Sequence, residues 1–159
     1  MNMVNQKNIG ALGVLVRAGA GSTLTAGGAG DNTAVVGVGI DRETLGVGYG
    51  AGSIPFSALF GVAYTATLAA GKTLSNALLI EDSADGTNWG TYQTIASAQA
   101  AISASGGTVT GVQNFQVFLG SARRWVRFTW TPDLNASGTD TATIFPMLCI
   151  GGFDHLPVT

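Results

Sequence analysis

Apolar and polar residues alternate with a period of two wherever a period can be recognised, and this feature constrains the fold most. From Ala58 to Leu68 the even positions are largely apolar and the odd positions mostly small or polar. The alternation recurs from Arg123 to Thr131 and from Thr141 to Ile150. Successive side chains of a strand point to opposite faces, so each segment is predicted to be a half-buried β-strand.

Five further segments complete the expected strands: Leu12 to Arg17, Thr33 to Val38, Leu74 to Asp82, Thr91 to Ile95 and Val109 to Leu119. About eight strands separated by Gly, Asp, Asn and Ser turns are typical of a sandwich or jelly roll. We therefore expect an all-β fold, a single antiparallel β-sandwich that is jelly-roll-like. It would span residues 11–159, and residues 1–10 would form a polar N-terminal arm.

Several segments are expected to depart from regular strands. Gly19 to Gly30 and Gly46 to Gly52 are low-complexity stretches predicted to be loops. Ser97 to Ser105 is predicted to be a short helix or a loop. Pro146 lies inside the last strand and lacks an N–H, so it predicts an edge strand or a bulge.

Charge is scarce: charged residues make up 10% of the chain and the net charge is −2. Nucleic-acid binding requires clustered cations, so this composition argues against it. Arg123, Arg124 and Arg127 are close in sequence, and we interpret them as a local patch on one strand. The nonpolar stretch from Ser57 to Gly71 is too short and polar to span a bilayer, and residues 1–10 have no signal-peptide pattern.

Two short motifs resemble ligand-binding loops. The segment from Ala66 to Thr73 ends in Gly-Lys-Thr, but it lacks the first glycine of a phosphate-binding loop and a clear following helix. We interpret Gly71-Lys72 as a hairpin turn. In the Asp-Gly segment from Ala84 to Asn88, an EF-hand alignment places Tyr92 where the bidentate glutamate belongs. An Asx-stabilised turn is preferred there, and a calcium site of another kind is left open.

Catalytic chemistry has little support in the sequence. The single histidine, His155, follows Asp154 without a nucleophile motif. The single cysteine, Cys149, lies in an apolar run where a buried, inert thiol is expected. Zinc would need more His and Cys ligands. We therefore predict that the protein is not an enzyme, uses no cofactor or metal, and works by binding or assembling.

The aromatic residues offer a candidate binding platform. Trp125 is predicted on the strand face opposite Val126, with Arg127 two residues further on. If that face is exposed, Trp125 could combine with Trp89 and Tyr92 to stack on a sugar or bind a protein. The alternative is packing against the second sheet or a neighbouring subunit.

The stretches IEDSADGTNWGTYQTI, RRWVRFTW and TIFPMLCIGGF, with the opening NIGALGVLVRAGAGSTLTAGGAGDNTAVVGVGIDRETLG, resemble the capsid decoration, or cement, proteins of tailed bacteriophages. The resemblance implies a jelly-roll-like sandwich that binds the outside of the expanded shell and stiffens it. The implied partners are the major capsid protein and further copies of the chain, as dimers or trimers. The implied location is the virion exterior, after assembly in the host cytoplasm.

The polar arm has no core role, and we expect Asn5, Gln6, Lys7 and Asn8 to contact the capsid lattice. Two alternatives to the capsid interpretation remain open. The Asp-Gly-Thr-x-Trp and Arg-Trp-Val-Arg elements also resemble galactose-binding-like jelly rolls, which implies a carbohydrate-binding module using Trp89, Tyr92 or Trp125. A tail or baseplate component is the other alternative.

Overall fold

The computed structural model describes residues 13–46, 53–136 and 138–153. These residues form ten strands and one short helix: β1 Gly13–Val16, β2 Ser22–Thr25, β3 Val35–Val36, β4 Ile40–Asp41, α1 Arg42–Gly46, β5 Pro55–Leu68, β6 Lys72–Ser83, β7 Gly90–Ser103, β8 Gly107–Phe118, β9 Trp125–Leu134 and β10 Thr141–Phe153. The predicted all-β class is confirmed. The arm residues Asn5, Gln6, Lys7 and Asn8, the segment 47–52, and Asp154 with His155 lie outside the described residues.

The strands form two antiparallel sheets of five strands each. Sheet A has the order β1-β10-β5-β8, and β2 also pairs with β10. Sheet B has the order β3-β9-β6-β7, and β4 also pairs with β9. The two sheets enclose one apolar core, so the predicted antiparallel sandwich is confirmed.

The core lies between the inner faces of the two sheets, and the predicted alternation describes it well. On β5, Ala58, Phe60, Val62, Ala66 and Leu68 are all buried. On β9 and β10 the buried apolar side chains are Val126, Phe128 and Trp130, and Ala142, Ile144, Leu148 and Ile150. Each set follows the period of two, as a strand with one face in the core requires.

Two of the strands and the helix were not predicted from the sequence. The predicted loop from Gly19 to Gly30 contains β2, whose short alternation places Leu24 in the core. Strand β4 and helix α1 follow one another and are too short to carry a period. The count of ten strands instead of about eight is explained by β2 and β4.

The interpretation of Ser97 to Ser105 as a short helix or a loop is wrong for most of its length. Residues up to Ser103 belong to β7, which pairs with β6 through registers such as Asn76 with Ala98 and Lys72 with Ser103. Alanine has the highest helix propensity, but propensity decides structure only weakly and the ladder with β6 overrides it here. Three register shifts along this ladder make β7 irregular.

The prediction that Pro146 marks an edge or a bulge is also wrong. Strand β10 is internal, and its register with β5 continues through the pair of Pro146 with Val62 without a shift. On the other side of β10, β1 pairs as far as Leu148 and β2 begins at Ile144. Pro146 therefore lies opposite the gap between β1 and β2, where its missing N–H interrupts no described ladder.

One of the two motif turns has the predicted local structure. Gly71 has a φ of 72°, and the Lys72 amide donates to the Ala69 carbonyl at 3.1 Å. The predicted hairpin is wrong, because this turn leads from β5 of sheet A to β6 of sheet B and the two strands do not pair. The Asp85 carboxylate accepts hydrogen bonds from the Thr87 and Asn88 amides, both at 2.8 Å, as an Asx-stabilised turn does. These amide bonds, that of Asn88 foremost, hold the pKa of Asp85 well below its usual range.

Candidate interaction surface

Charge is divided unequally between the two sheets. The five strands of sheet A contain no charged residue. In sheet B, β4, β6 and β9 all carry charged side chains. Because both inner faces lie in the core, this difference makes the outer face of sheet A an uncharged surface.

One half of this outer face is mainly apolar. Leu15 is 81% exposed, Phe118 69% and Phe145 57%, and Leu59, Val112 and Met147 are also exposed. Strand register places these side chains side by side, since Leu15 pairs with Cys149 and Cys149 with Leu59. Large contiguous apolar patches are unusual on isolated proteins and mark contact sites. We call this outer surface of β1, β2, β5, β8 and β10 the A face.

Cys149 lies on the A face and not in the core, so the expectation of a buried thiol is wrong. Its neighbours Leu148 and Ile150 are fully buried, and the period of two turns the cysteine outward. The thiol is free and only half-buried. The sequence did not distinguish outward from inward positions in this apolar run, because the residues that point away from the core are also apolar. They are Phe145, Met147 and Cys149.

A shallow apolar groove of about 730 Å³ lies at one end of the A face. It is lined by small residues, including Gly13, Gly151 and Gly152, and by the rings of Phe118 and Phe153. A Cβ added to Gly13 would lie 2.8 Å from the Cys149 sulfur, so the glycine keeps this part of the groove open. The groove is a hollow that a protruding apolar side chain of a partner would fit.

The other half of the A face carries two rows of threonines, each of which crosses four strands. One row joins Thr25, Thr141, Thr67 and Thr108, and the next joins Thr23, Thr143, Thr65 and Thr110. All but the half-buried Thr143 are exposed. The hydroxyls offer donors and acceptors, so this half of the face can hydrogen-bond a partner without any charge.

The three neighbouring arginines do not share one strand as predicted, since Arg123 and Arg124 precede β9 and only Arg127 belongs to it. Each is paired with a carboxylate from another element. Arg123 and Asp82 approach to 2.6 Å, Arg124 and Asp41 to 2.6 Å, and Arg127 and Glu81 to 2.7 Å. Hydrogen bonding to Arg124 is the main cause that lowers the pKa of Asp41 to about 2. The positive charge of these three arginines is therefore neutralised locally.

The structure brings together three of the four predicted platform residues. The Arg127 guanidinium lies 4.4 Å from the centroid of the Trp89 ring, within cation–π range. Trp89 and Trp125 both lie close to Gly39, and Trp125 also contacts Gly86. Both indoles are partly exposed.

Tyr92, the fourth predicted platform residue, is directed elsewhere. Its hydroxyl lies 2.9 Å from the Phe118 carbonyl, to which it donates, and 3.1 Å from the Ser121 hydroxyl. It therefore links β7 to the end of β8 instead of extending the tryptophan cluster.

Arg42 is a buried charge that the sequence did not reveal. It is 1% exposed, and its Nε and Nη2 both donate to the Pro55 carbonyl, at 3.2 and 2.6 Å. Its Nη1 donates to the carbonyls of Ala122 and Arg123. Burial lowers the pKa of Arg42. The guanidinium joins α1 to the start of β5 and to the loop before β9, so its role is to fix the fold.

Within the described residues, no cluster of three or more His, Cys, Asp or Glu side chains is arranged to hold a metal ion. No helix of the described residues is long and apolar enough to cross a membrane. No protein-family model and no curated protein matches this chain. Inferences about function therefore depend on the surfaces themselves.

Proposed function

We propose that this chain is a structural virion protein that binds the outer surface of a bacteriophage capsid and stabilises the shell by bridging major capsid protein subunits. The proposal includes the jelly-roll-like connectivity implied by the resemblance to decoration proteins. Its main structural support is the A face, an uncharged outer sheet surface that combines exposed apolar side chains with threonine rows. Protein interfaces are depleted of charge at their centres, so the A face suits docking on a protein surface.

The size of the A face fits this role. Strand β10 has thirteen residues, and with a rise of about 3.3 Å per residue and four strands about 4.8 Å apart the face covers on the order of 800 Å². That is the area each partner buries in a standard specific interface. Sheet B, with its paired arginines and carboxylates, would then face solvent on the particle exterior.

Binding of the purified chain to expanded shells tests the role of the A face. Replacing Phe145 or Leu15 by Ser removes an exposed apolar side chain, and we expect each change to weaken shell binding at least about tenfold. Val36→Ser on β3 is the matched control, since Val36 is also 57% exposed but lies on sheet B. Equal shell binding by all of these variants would show that the A face is not the surface that contacts the shell.

Copy number in density-purified particles tests the function itself. Quantitative mass spectrometry against the major shell protein should give a near-stoichiometric ratio for a decoration protein. A tail or baseplate component would be present in far fewer copies. A trace signal or none would overturn a structural role on the shell.

The proposed capsid contact by Asn5, Gln6, Lys7 and Asn8 has its own test. Deleting residues 1–9 should weaken shell binding if the arm reaches across the lattice. Unchanged affinity would remove the arm from the proposal and leave the A face as the contact.

A carbohydrate-binding module is the alternative. Its platform would use Trp89 and Trp125, and Arg127 already lies over the Trp89 ring. A sugar would have to displace that guanidinium or stack on another ring. Titration of sugars against tryptophan fluorescence tests this alternative, since stacking on an indole should change the emission.

A further inference from the structure

The edge of sheet A formed by β8 is long and regular. Strand β8 pairs with β5 from Gly107 to Phe118 without a register shift. Among the strands described, β5 is its one ladder partner, so the opposite side of β8 is a sheet edge. About half of the twelve residues of this strand therefore present main-chain donors and acceptors along one flank of the sandwich.

This edge lacks three features by which natural sheets discourage pairing with another chain. Such edges usually carry charged side chains, prolines or bulges. Strand β8 contains neither a charged residue nor a proline, and its ladder with β5 has no bulge. The uncharged sequence extends from Gly86 to Ala122, which also includes all of β7.

The adjacent strand β7 contacts this flank through side chains of sheet A. Gln113 donates from Nε2 to the Ala98 carbonyl at 2.8 Å, and the Tyr64 hydroxyl donates to the Ala100 carbonyl. Asn76 in turn donates to the Gln113 Oε1 at 3.0 Å. These bonds satisfy carbonyls of β7 and fix Gln113, but they leave the β8 main chain unpaired by any described strand.

We propose that β8 pairs antiparallel with β8 of a second copy of this chain, so that two A sheets join into one continuous sheet. A second copy fits better than an unrelated strand because a two-fold axis brings every edge residue near a residue of the same segment. A charge near the axis would lie close to the same charge of the second copy, which is destabilising across strands. The absence of charge from Gly86 to Ala122 removes that cost.

The register follows from side-chain direction. Residues opposite one another in an antiparallel pair point to the same face, so the two-fold axis passes through a residue paired with its own copy. Val112 lies near the middle of β8 and is half exposed on the A face. Centring the pair on Val112 places two valines together, Thr110 opposite Asn114, and Thr108 opposite Gln116. The last two are uncharged pairs capable of hydrogen bonding.

The register can be tested by a disulfide. Val112→Cys is made in a Cys149→Ala background and oxidised gently, and a cross-linked dimer is expected because directly opposed Cβ atoms lie within bonding reach. Leu59→Cys in the same background is the control, since Leu59 is exposed on the inner strand β5. Cross-linking through Leu59 but not Val112 would overturn the proposed pairing.

Mass in solution gives a second test. The unmodified chain should sediment with twice the mass of one chain, and Val112→Lys should return it to one chain mass while Leu59→Lys does not. A chain that stays monomeric at all concentrations overturns the proposal.

The outcome is separable from the proposed function. If the chain is a monomer that binds shells, the proposed pairing of β8 is overturned and the proposed capsid role stands. A dimer that does not bind shells would support the paired edge and overturn the capsid role.

Discussion

The rings of Phe60 and Phe128 lie parallel across the core, with centroids 5.5 Å apart and an interplanar angle of 3°. Phe60 comes from β5 of sheet A and Phe128 from β9 of sheet B. Phe60 also lies within 6.3 Å of the Phe115 ring and 5.7 Å of the Trp130 ring. This aromatic group joins the inner faces of the two sheets.

Phe60→Ala should lower the free energy of unfolding by about 3–5 kcal/mol, because it removes a fully buried ring and leaves a cavity between the sheets. Phe118→Ala is the matched control, since its ring is largely exposed and should cost less than about 1 kcal/mol. Denaturant titration of both variants measures the difference. Equal losses would mean that the Phe60 ring does not anchor the core.

Arg42→Ala should also destabilise the fold, by about 2–4 kcal/mol, because three buried or partly buried carbonyls lose their donor. Arg42→Lys should restore only part of the loss, since an ammonium cannot reproduce the planar set of donors. Arg124→Ala removes an exposed guanidinium and serves as the control. A loss as small as that of the control would contradict the role assigned to Arg42.

Gly86→Ala and Gly71→Ala form a matched pair, because both glycines have φ near +70°. Each substitution should cost about 1 kcal/mol from backbone strain alone. At Gly71 a new Cβ meets nothing within 4 Å, whereas at Gly86 it lies 3.1 Å from the Trp125 ring. We expect Gly86→Ala to cost more and to alter tryptophan fluorescence. Identical costs and spectra would contradict the contact with Trp125.

Acid should destabilise the protein through its paired carboxylates. Hydrogen bonding to Arg124 lowers the pKa of Asp41 from 3.8 to about 2. A carboxyl whose pKa is lower in the folded state contributes stability above its unfolded pKa and loses it as the pH falls through the folded value. The loss should therefore occur between about pH 4 and pH 2.

Hydrogen bonding to Arg127 lowers the pKa of Glu81 in the same direction. For Asp82, burial acts to raise the pKa, but the hydrogen bonds from Arg123 outweigh it and the net shift is downward. Asp41→Asn should flatten the decline in unfolding free energy from pH 5 to pH 2 by on the order of 1 kcal/mol, because Arg124 is partly solvated. An equally steep decline in this variant would contradict the assignment to Asp41.

The alternation in β5, β9 and β10 was sufficient to predict the sandwich and most of its core, because one face of each strand is buried. It could not predict β2 or β4, which are too short to show a period. It also failed at Ser97 to Ser105, where pairing with β6 decides the conformation of an alanine-rich segment.

The candidate surface was harder to predict, since the sequence does not distinguish an apolar side chain that faces the core from one that faces a partner. Phe145 and Met147 illustrate this, because both follow the alternation and point outward. The pairing of Trp89 with Arg127 joins residues that lie on different elements, and sequence spacing alone contains no signal for that contact.

The position of β10 also determines when this fold can be completed. This strand is synthesised after the other nine, yet β1, β2 and β5 all pair with it. Until it has left the ribosome, the strands on both sides of it lack their common partner. Contacts between such distant parts of a chain slow folding. Chains that stop before Thr141 should therefore leave sheet A without the strand that joins β1 and β2 to β5.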